Sequence, residues 1–154
     1  YNQQFIKVSS AMSKRKSILV ALADKLKTID GVAYTSNLSN NAYPKLKFWD
    51  EVRDFPCVYS SAGSEYREYL PGDFTWVYLS ISLKVYCKGE DSQLELEQLL
   101  EDIETVIDAN RVLVYDAGTN SQTTEILVNS INTDEGLLSP YAVGEIVLQV
   151  RYAR

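Results

Sequence analysis

Thirteen consecutive residues, Thr75 to Cys87 (TWVYLSISLKVYC), alternate between apolar and amphipathic side chains almost without a break. Val77, Leu79, Ile81, Leu83, Val85 and Cys87 take the odd positions, and Trp76, Tyr78, Ser80, Ser82, Lys84 and Tyr86 the even ones. Successive side chains of a strand point to opposite faces, so the pattern predicts one long β-strand with a core face and an amphipathic face. At ~3.3 Å per residue such a strand reaches about 43 Å, whereas a compact domain of this size has a radius of gyration near ~15 Å and strands usually run about five or six residues. It must bend or overhang its own core, and an overhang would display Trp76 and Tyr78.

The stretch feeding this strand, EYREYLPGDFTW (65–76), sets Glu65, Arg67, Glu68 and Asp73 around Tyr66, Tyr69 and Leu70. Pro71-Gly72 suits a type II turn, in which glycine supplies the positive φ, so Glu65–Tyr69 is expected to run back along Phe74–Tyr78 as a protruding hairpin. Exposed Trp and Tyr among mixed charges suit recognition of another protein. An ordinary solvated hairpin is the bland alternative.

Elsewhere the chain alternates helical and strand-like periods. From Ser10 to Ile29, Ile18, Leu22, Leu26 and Ile29 fall on one helical stripe that Asp30-Gly31 should end, while Lys14-Arg15-Lys16 reads as a solvated face. Residues 34–53 dissolve into a long Ser- and Asn-rich loop. Phe55–Ser61 reads as a short strand. Ser92-x-x-Glu95 has the form of a capping box opening a helix that Asn110 can close in the left-handed region. That helix buries Leu96, Leu99, Leu100, Ile103, Val106 and Ile107 and turns Glu95, Glu97, Glu101, Asp102, Glu104 and Asp108 outward. Val112–Tyr115, Glu125–Asn132 and Gly144–Tyr152 are further strands, and Leu137-Leu138-Ser139-Pro140 forms an exposed hook in the last loop. The expected fold is one α+β domain over residues 1–154: a mostly antiparallel or mixed β-sheet, two helices packed on one face, and the long protruding hairpin.

The chain has 154 residues, enough for one core. It begins at Tyr1 without a methionine, so one or more residues are expected before it. No secretory leader and no apolar run of about 18 residues stands out, from which a cytosolic place of assembly is expected. A net charge of −6 and a pI near 4.7 argue against gripping nucleic acid through phosphates. There is no histidine, which removes His-based triads and His-containing metal sites. Cys57 and Cys87 lack metal-site spacing and read as buried, reduced residues. No phosphate-cradling glycine loop occurs. Carboxylates alone can hydrolyse glycosides or hold Mg²⁺, and Glu65, Glu68 and Asp73, or Asp134 and Glu135, are the conceivable sets, with little support from their spacing. A small binding module with an enclosed apolar cleft is a third possibility.

Residues 54–91 (DFPCVYSSAGSEYREYLPGDFTWVYLSISLKVYCKGED), the acidic helix LELEQLLEDIETVIDAN and the closing TEILVNSINTDEGLLSPYAVGEIVLQVRY resemble the tail terminator, or tail completion, proteins of long-tailed bacteriophages of the siphophage type. The resemblance covers residues 50–154 and, by position only, the first helix. It implies a structural virion protein, without enzymatic activity or cofactor, that forms a homo-hexameric ring on the tail tube. The ring would stop tube polymerisation, offer a docking surface to the filled head and its neck proteins, and let DNA pass without specific binding; no membrane is involved. The alternative within that setting is another head–tail connector. A ring built by heterologous contacts needs two complementary patches per subunit. Arg53, Arg67 and Lys84 against acids around Glu101, Glu104, Asp134 and Glu135 are the charged candidates, with Glu65, Glu68, Tyr69, Trp76 and Tyr78 completing the expected subunit or tube interface.

Overall fold

A computed structural model describes residues 13–154. In chain order these form α1 (Lys14–Leu26), β1 (Ala42–Tyr43), a 3-10 turn (Trp49–Glu51), β2 (Cys57–Leu70), β3 (Phe74–Lys88), α2 (Ser92–Ala109), β4 (Val114–Asp116), β5 (Ser121–Gln122), β6 (Glu125–Thr133) and β7 (Tyr141–Ala153). The main sheet has the order β1-β2-β3-β7-β6, with β1 parallel to β2 and the remaining neighbours antiparallel; β4 and β5 make a separate ribbon. The fold is therefore α+β, as the sequence implies.

The long alternating strand exists as β3, and its odd positions are essentially inaccessible to solvent. They form one core with Ile146, Leu148, Val150 and Tyr152 of β7 and with the apolar stripes of both helices, Ile18, Leu22 and Leu26 from α1 and Leu96, Leu99, Leu100, Ile103, Val106 and Ile107 from α2. At about 25 cal/mol per Å² of buried apolar surface, this two-layer contact is the dominant stabilising term.

The strand before β3 is longer than its apolar run suggests. Phe55–Ser61 reads alone as a short strand, but β2 continues for 14 residues through the charged stretch, with a register slip between Ala62 and Glu65. A bulge of this kind leaves residues unpaired and resets which side chains share a face. Before it, Tyr59 and Ser61 lie across from Lys84 and Ser82; after it, Tyr66 and Glu68 lie across from Tyr78 and Trp76. Glu65 and Arg67 thereby turn to the helix-covered side, opposite Leu79 and Val77. Leu70 pairs with Phe74 around the turn, where Gly72 takes φ +84° and Asp73 also lies left-handed at φ +61°.

Several local expectations are corrected. Tyr86, placed by its even position on the amphipathic face, is buried in a second cluster with Val52, Cys57 and Tyr59, covered by Tyr43, Trp49 and Phe55. The Ser- and Asn-rich loop thus lids this end of the second face, and the Tyr86 hydroxyl donates to the Lys47 carbonyl at 2.6 Å. Asp102 is buried rather than outward, because it accepts from the Ser36 backbone N–H (2.9 Å) and the Gln98 amide (3.1 Å). No capping box forms at Ser92: Asp91 is the N-cap and its side chain makes no capping bond. Asn110 closes α2 at φ −129°, not left-handed, with its side-chain amide donating to the Val106 carbonyl. The first helix ends at Leu26, before Asp30-Gly31, and starts on a Ser13 cap that accepts from Lys16 N–H at 3.0 Å; the part expected before Ser13 lies outside the described residues.

Candidate functional site

Beyond the bulge, β2 pairs with the first residues of β3; Val77 and Leu79 are still fully buried and β7 follows β3 as far as Trp76, so the hairpin expected to protrude extends past β7 only at its tip, where several apolar side chains lie outside the core. Tyr66 is 61% exposed, Tyr69 73%, Leu70 39% and Phe74 40%. On the face away from the helices, Tyr66 stacks on Tyr78 and the Tyr78 hydroxyl donates to Glu68 at 3.2 Å. Trp76 lies beside them with Phe74 edge-on at 4.8 Å and the Arg151 guanidinium 4.6 Å above its ring. Trp76 and Tyr78 are consequently half-buried rather than displayed, and the fully presented aromatics are Tyr66 and Tyr69. A cation over an indole and a stacked phenol pair are each worth roughly 0.5–1.5 kcal/mol, enough to hold this surface in one shape before anything binds it.

On the helix-covered side, Glu65 is clamped between Arg67 (2.8 Å) and Arg15 of α1 (3.3 Å), and Arg15 also donates to the Gly63 carbonyl at the bulge. The Glu65 carboxylate keeps Arg67 firmly protonated. Arg15, read from sequence as part of a solvated basic face, is instead the tie between α1 and the bulged strand. A basic run gives no hint of this, because Glu65 reaches the helix side only through the bulge. Arg151 is likewise invisible to sequence patterning; it meets Trp76 only because β7 pairs with β3.

The other expected interface residues lie apart from this cluster. Lys84 is ion-paired across the ladder with Glu145 at 2.8 Å. The Lys84 ammonium, together with the Ser82 hydroxyl at 2.6 Å, holds the Glu145 carboxyl below its usual range. Asp134 and Glu135 sit in the β6–β7 loop at the far end, since β7 begins opposite Lys88. Partial burial pushes the Asp134 carboxyl up, but the backbone N–H groups of Leu138 and Val143, with the Gln93 side chain, outweigh it and leave it below its ordinary value. Asp134 therefore organises its own loop, while Glu135 is exposed at φ +57° and Leu137 beyond it is 85% exposed. Arg53 is exposed in the loop before β2 and makes no ion pair among the described residues.

Chemically, the acids do not converge. Glu65 and Glu68 occupy opposite faces of β2, and among the described residues no group of three or more His, Cys, Asp or Glu is placed to hold a metal ion. A half-open cleft of about 660 Å³ lies between the start of α2 and Thr35–Asn37, over Pro56 and the buried Cys87, with Leu94 72% exposed at its rim. Burial raises the Cys87 thiol to about 12, so it is no nucleophile at neutral pH. What the molecule presents is a preorganised aromatic and charged surface on the distal β2–β3 ladder.

Comparison with known proteins sets this surface in context. Residues 12–154 match the family model described as Bacteriophage Tail Tube Terminator Protein, so the match extends over α1 as well as the sheet. The tail tube terminator protein p142 of Escherichia phage T5 is 37% identical over 152 residues, covering 92% of this chain and 94% of that protein. Among solved structures, a chain from the virion of a native gene transfer agent particle shares the fold at a TM-score of 0.59 and 10% identity, covering 92% of this chain and 100% of the other.

Proposed function

The chain belongs to the bacteriophage tail tube terminator family, and we propose that it caps the end of the tail tube as a ring of six copies, stops tube polymerisation there, and gives the filled head its docking surface. The reading is structural and non-enzymatic, with the virion as its place of action and the tail tube protein and a neck protein as its partners. The observation that carries it is the distal β2–β3 ladder, where Tyr66 and Tyr69 stand exposed on a rigid framework of paired strands. Aromatic anchors of this kind dominate protein–protein contacts because they bury large area at low entropic cost. The acidic balance, −6 over the chain, supports a lumen through which DNA slides without adhering.

Electron microscopy of tails assembled without this protein is the direct test. Tails of uncontrolled length that fail to join heads are expected, and restoration of the protein should return one length; normal-length tails that join heads in its absence would overturn the proposal.

A further inference from the structure

We propose that a cationic hollow at the start of α1 receives the acidic outer stripe of α2 from a second copy of this chain. The inference rests on the ring reading above and gives the lateral contact between subunits a chemistry.

The hollow, of about 360 Å³, is lined among the described residues by the side chains of Lys14, Arg15, Arg67 and Arg154 around the Glu65 side-chain carboxylate. Two guanidiniums share that carboxylate, and among the described residues the Lys14 ammonium finds the neutral Ala153 carbonyl at 3.1 Å and no carboxylate. The hollow is thus left with a positive excess in a chain whose net charge is −6. The opposite imbalance lies on α2. Glu97, Glu101, Glu104 and Asp108 recur at spacings of four, three and four, which makes one helical stripe ~17 Å long. No Lys or Arg occurs between Gly89 and Asn110, and of these four acids only Asp108 has a cation, Arg111 at 3.6 Å, among the described residues.

The two features do not meet within the chain. No ion pair among the described residues joins α2 to α1 or to the hollow. α1 packs against β4, β1 and β2 and touches α2, whereas α2 packs under β7, β3 and β6; the hollow lies at the N-terminal end of α1, between distal β2 and the end of β7. In the proposed ring the α2 stripe of a second copy occupies this hollow, and the same heterologous contact repeats to the next copy. Exposed ion pairs are individually weak and screened by salt; here they fix register and speed encounter, while apolar contacts supply affinity.

The test uses the full chain, free and on purified tail tubes lacking this protein. Self-association is measured by sedimentation, and carbodiimide cross-linking joins ammonium to carboxylate between copies. One variant carries Glu97→Lys with Glu101→Lys, the other Lys14→Glu with Arg154→Glu; all four positions are exposed, and a carboxylate in the first turn of α1 suits the helix dipole. The expected result is a cross-link from Lys14 to the α2 carboxylates, association weakened about tenfold in each variant alone, and recovery when the two are mixed, since alternating copies restore opposite charges. Association at full strength in both variants, or no recovery on mixing, overturns this docking while leaving the ring intact. Reduced retention on DNA with unchanged self-association assigns the hollow to phosphate and also overturns it. If the unmodified protein associates neither free nor on tubes, the ring reading itself falls.

Discussion

The rings of Tyr66 and Tyr78 lie face to face across the distal β2–β3 ladder, their centroids 4.6 Å apart and their planes 9° from parallel. Tyr78 is half-buried and Tyr66 is 61% exposed, so the inner ring serves as a platform for the outer one. An exposed aromatic pair contributes on the order of 1 kcal/mol to folding, whereas an aromatic anchor at a contact can contribute ≥2 kcal/mol to binding. Tyr66→Ala combined with Tyr69→Ala is therefore expected to lower unfolding stability by about 1 kcal/mol or less, yet to impair tail termination severely. Urea titration and tail-length distributions by electron microscopy read the two effects separately. Uniform tails of normal length made with the double variant would remove the distal ladder from the contact.

Asp102 supports a different prediction, because this buried carboxylate ties a distant backbone N–H to α2. Removing its carboxylate leaves the Ser36 N–H, 2.9 Å away, without an acceptor beneath the Thr35–Asn37 segment. An orphaned buried donor costs about 1–3 kcal/mol, and the half-buried Ser36 N–H falls at the lower end of that range. Asp102→Ala should destabilise by about 1 kcal/mol, and Asp102→Asn, which keeps an oxygen acceptor, should recover part of it. Equal losses for the two variants in urea unfolding would show that the carboxylate is not what secures Ser36.

How far these features could be read from sequence depends on the range of the interaction. The alternation of Val77 through Cys87 and the helical stripes of Leu22 and Leu100 are local periodicities, and the core follows them at every apolar position, Tyr86 alone being buried from the amphipathic face. Pro71-Gly72 likewise places the turn, since only a few residue types accept its positive φ. Charge assignments fare worse. Asp102 and Glu101 are adjacent in an acidic helix, yet one is buried by a loop some 66 residues earlier and the other is solvated. Arg15, Arg151 and Lys84 acquire their partners only through strand register, and a bulge between Ala62 and Glu65 decides which face each distal side chain occupies. No local pattern encodes such a slip, so the distal residues could be named but not sorted by face.

Gly144 of β7 lies directly against Leu96 and Leu100 of α2. A Cβ built there would lie 3.1 Å from Leu96 Cδ1 and 3.3 Å from Leu100 Cδ2, both in the packed core. Interiors at crystal-like density absorb extra methyl groups poorly, and overpacking typically costs about 1–3 kcal/mol. Gly144→Val should fall in that range, with Gly144→Ala smaller because one methyl requires shifts of only a few tenths of an ångström. Thermal unfolding with midpoints ordered wild type, Ala, Val is the expected outcome; an unchanged midpoint for the valine variant would mean that α2 can lift from β7 without loss.

The last prediction concerns alkaline pH, where three buried acids act together. Burial raises the Cys57 thiol from 9.0 to about 12, the Cys87 thiol from 9.0 to about 12, and the Tyr86 phenol from 10.0 to about 12. Each folded-state value lies above the unfolded one, so the stabilisation is fully present below about pH 9. It is lost as pH climbs toward 12, because the unfolded chain releases protons that the folded chain retains. The loss is at most about 1.4 kcal/mol per pH unit for each group. Urea midpoints should be level between about pH 7 and 8.5 and fall clearly by about pH 10.5. Cys57→Ala with Cys87→Ala should lower the plateau by opening space in the core, yet flatten the alkaline slope because the two thiols no longer titrate. A slope as steep in that variant as in the wild type would show that the thiols are not the groups being titrated, leaving the phenols raised by burial, Tyr86 with Tyr59, Tyr115 and Tyr152, as the alkaline weak point.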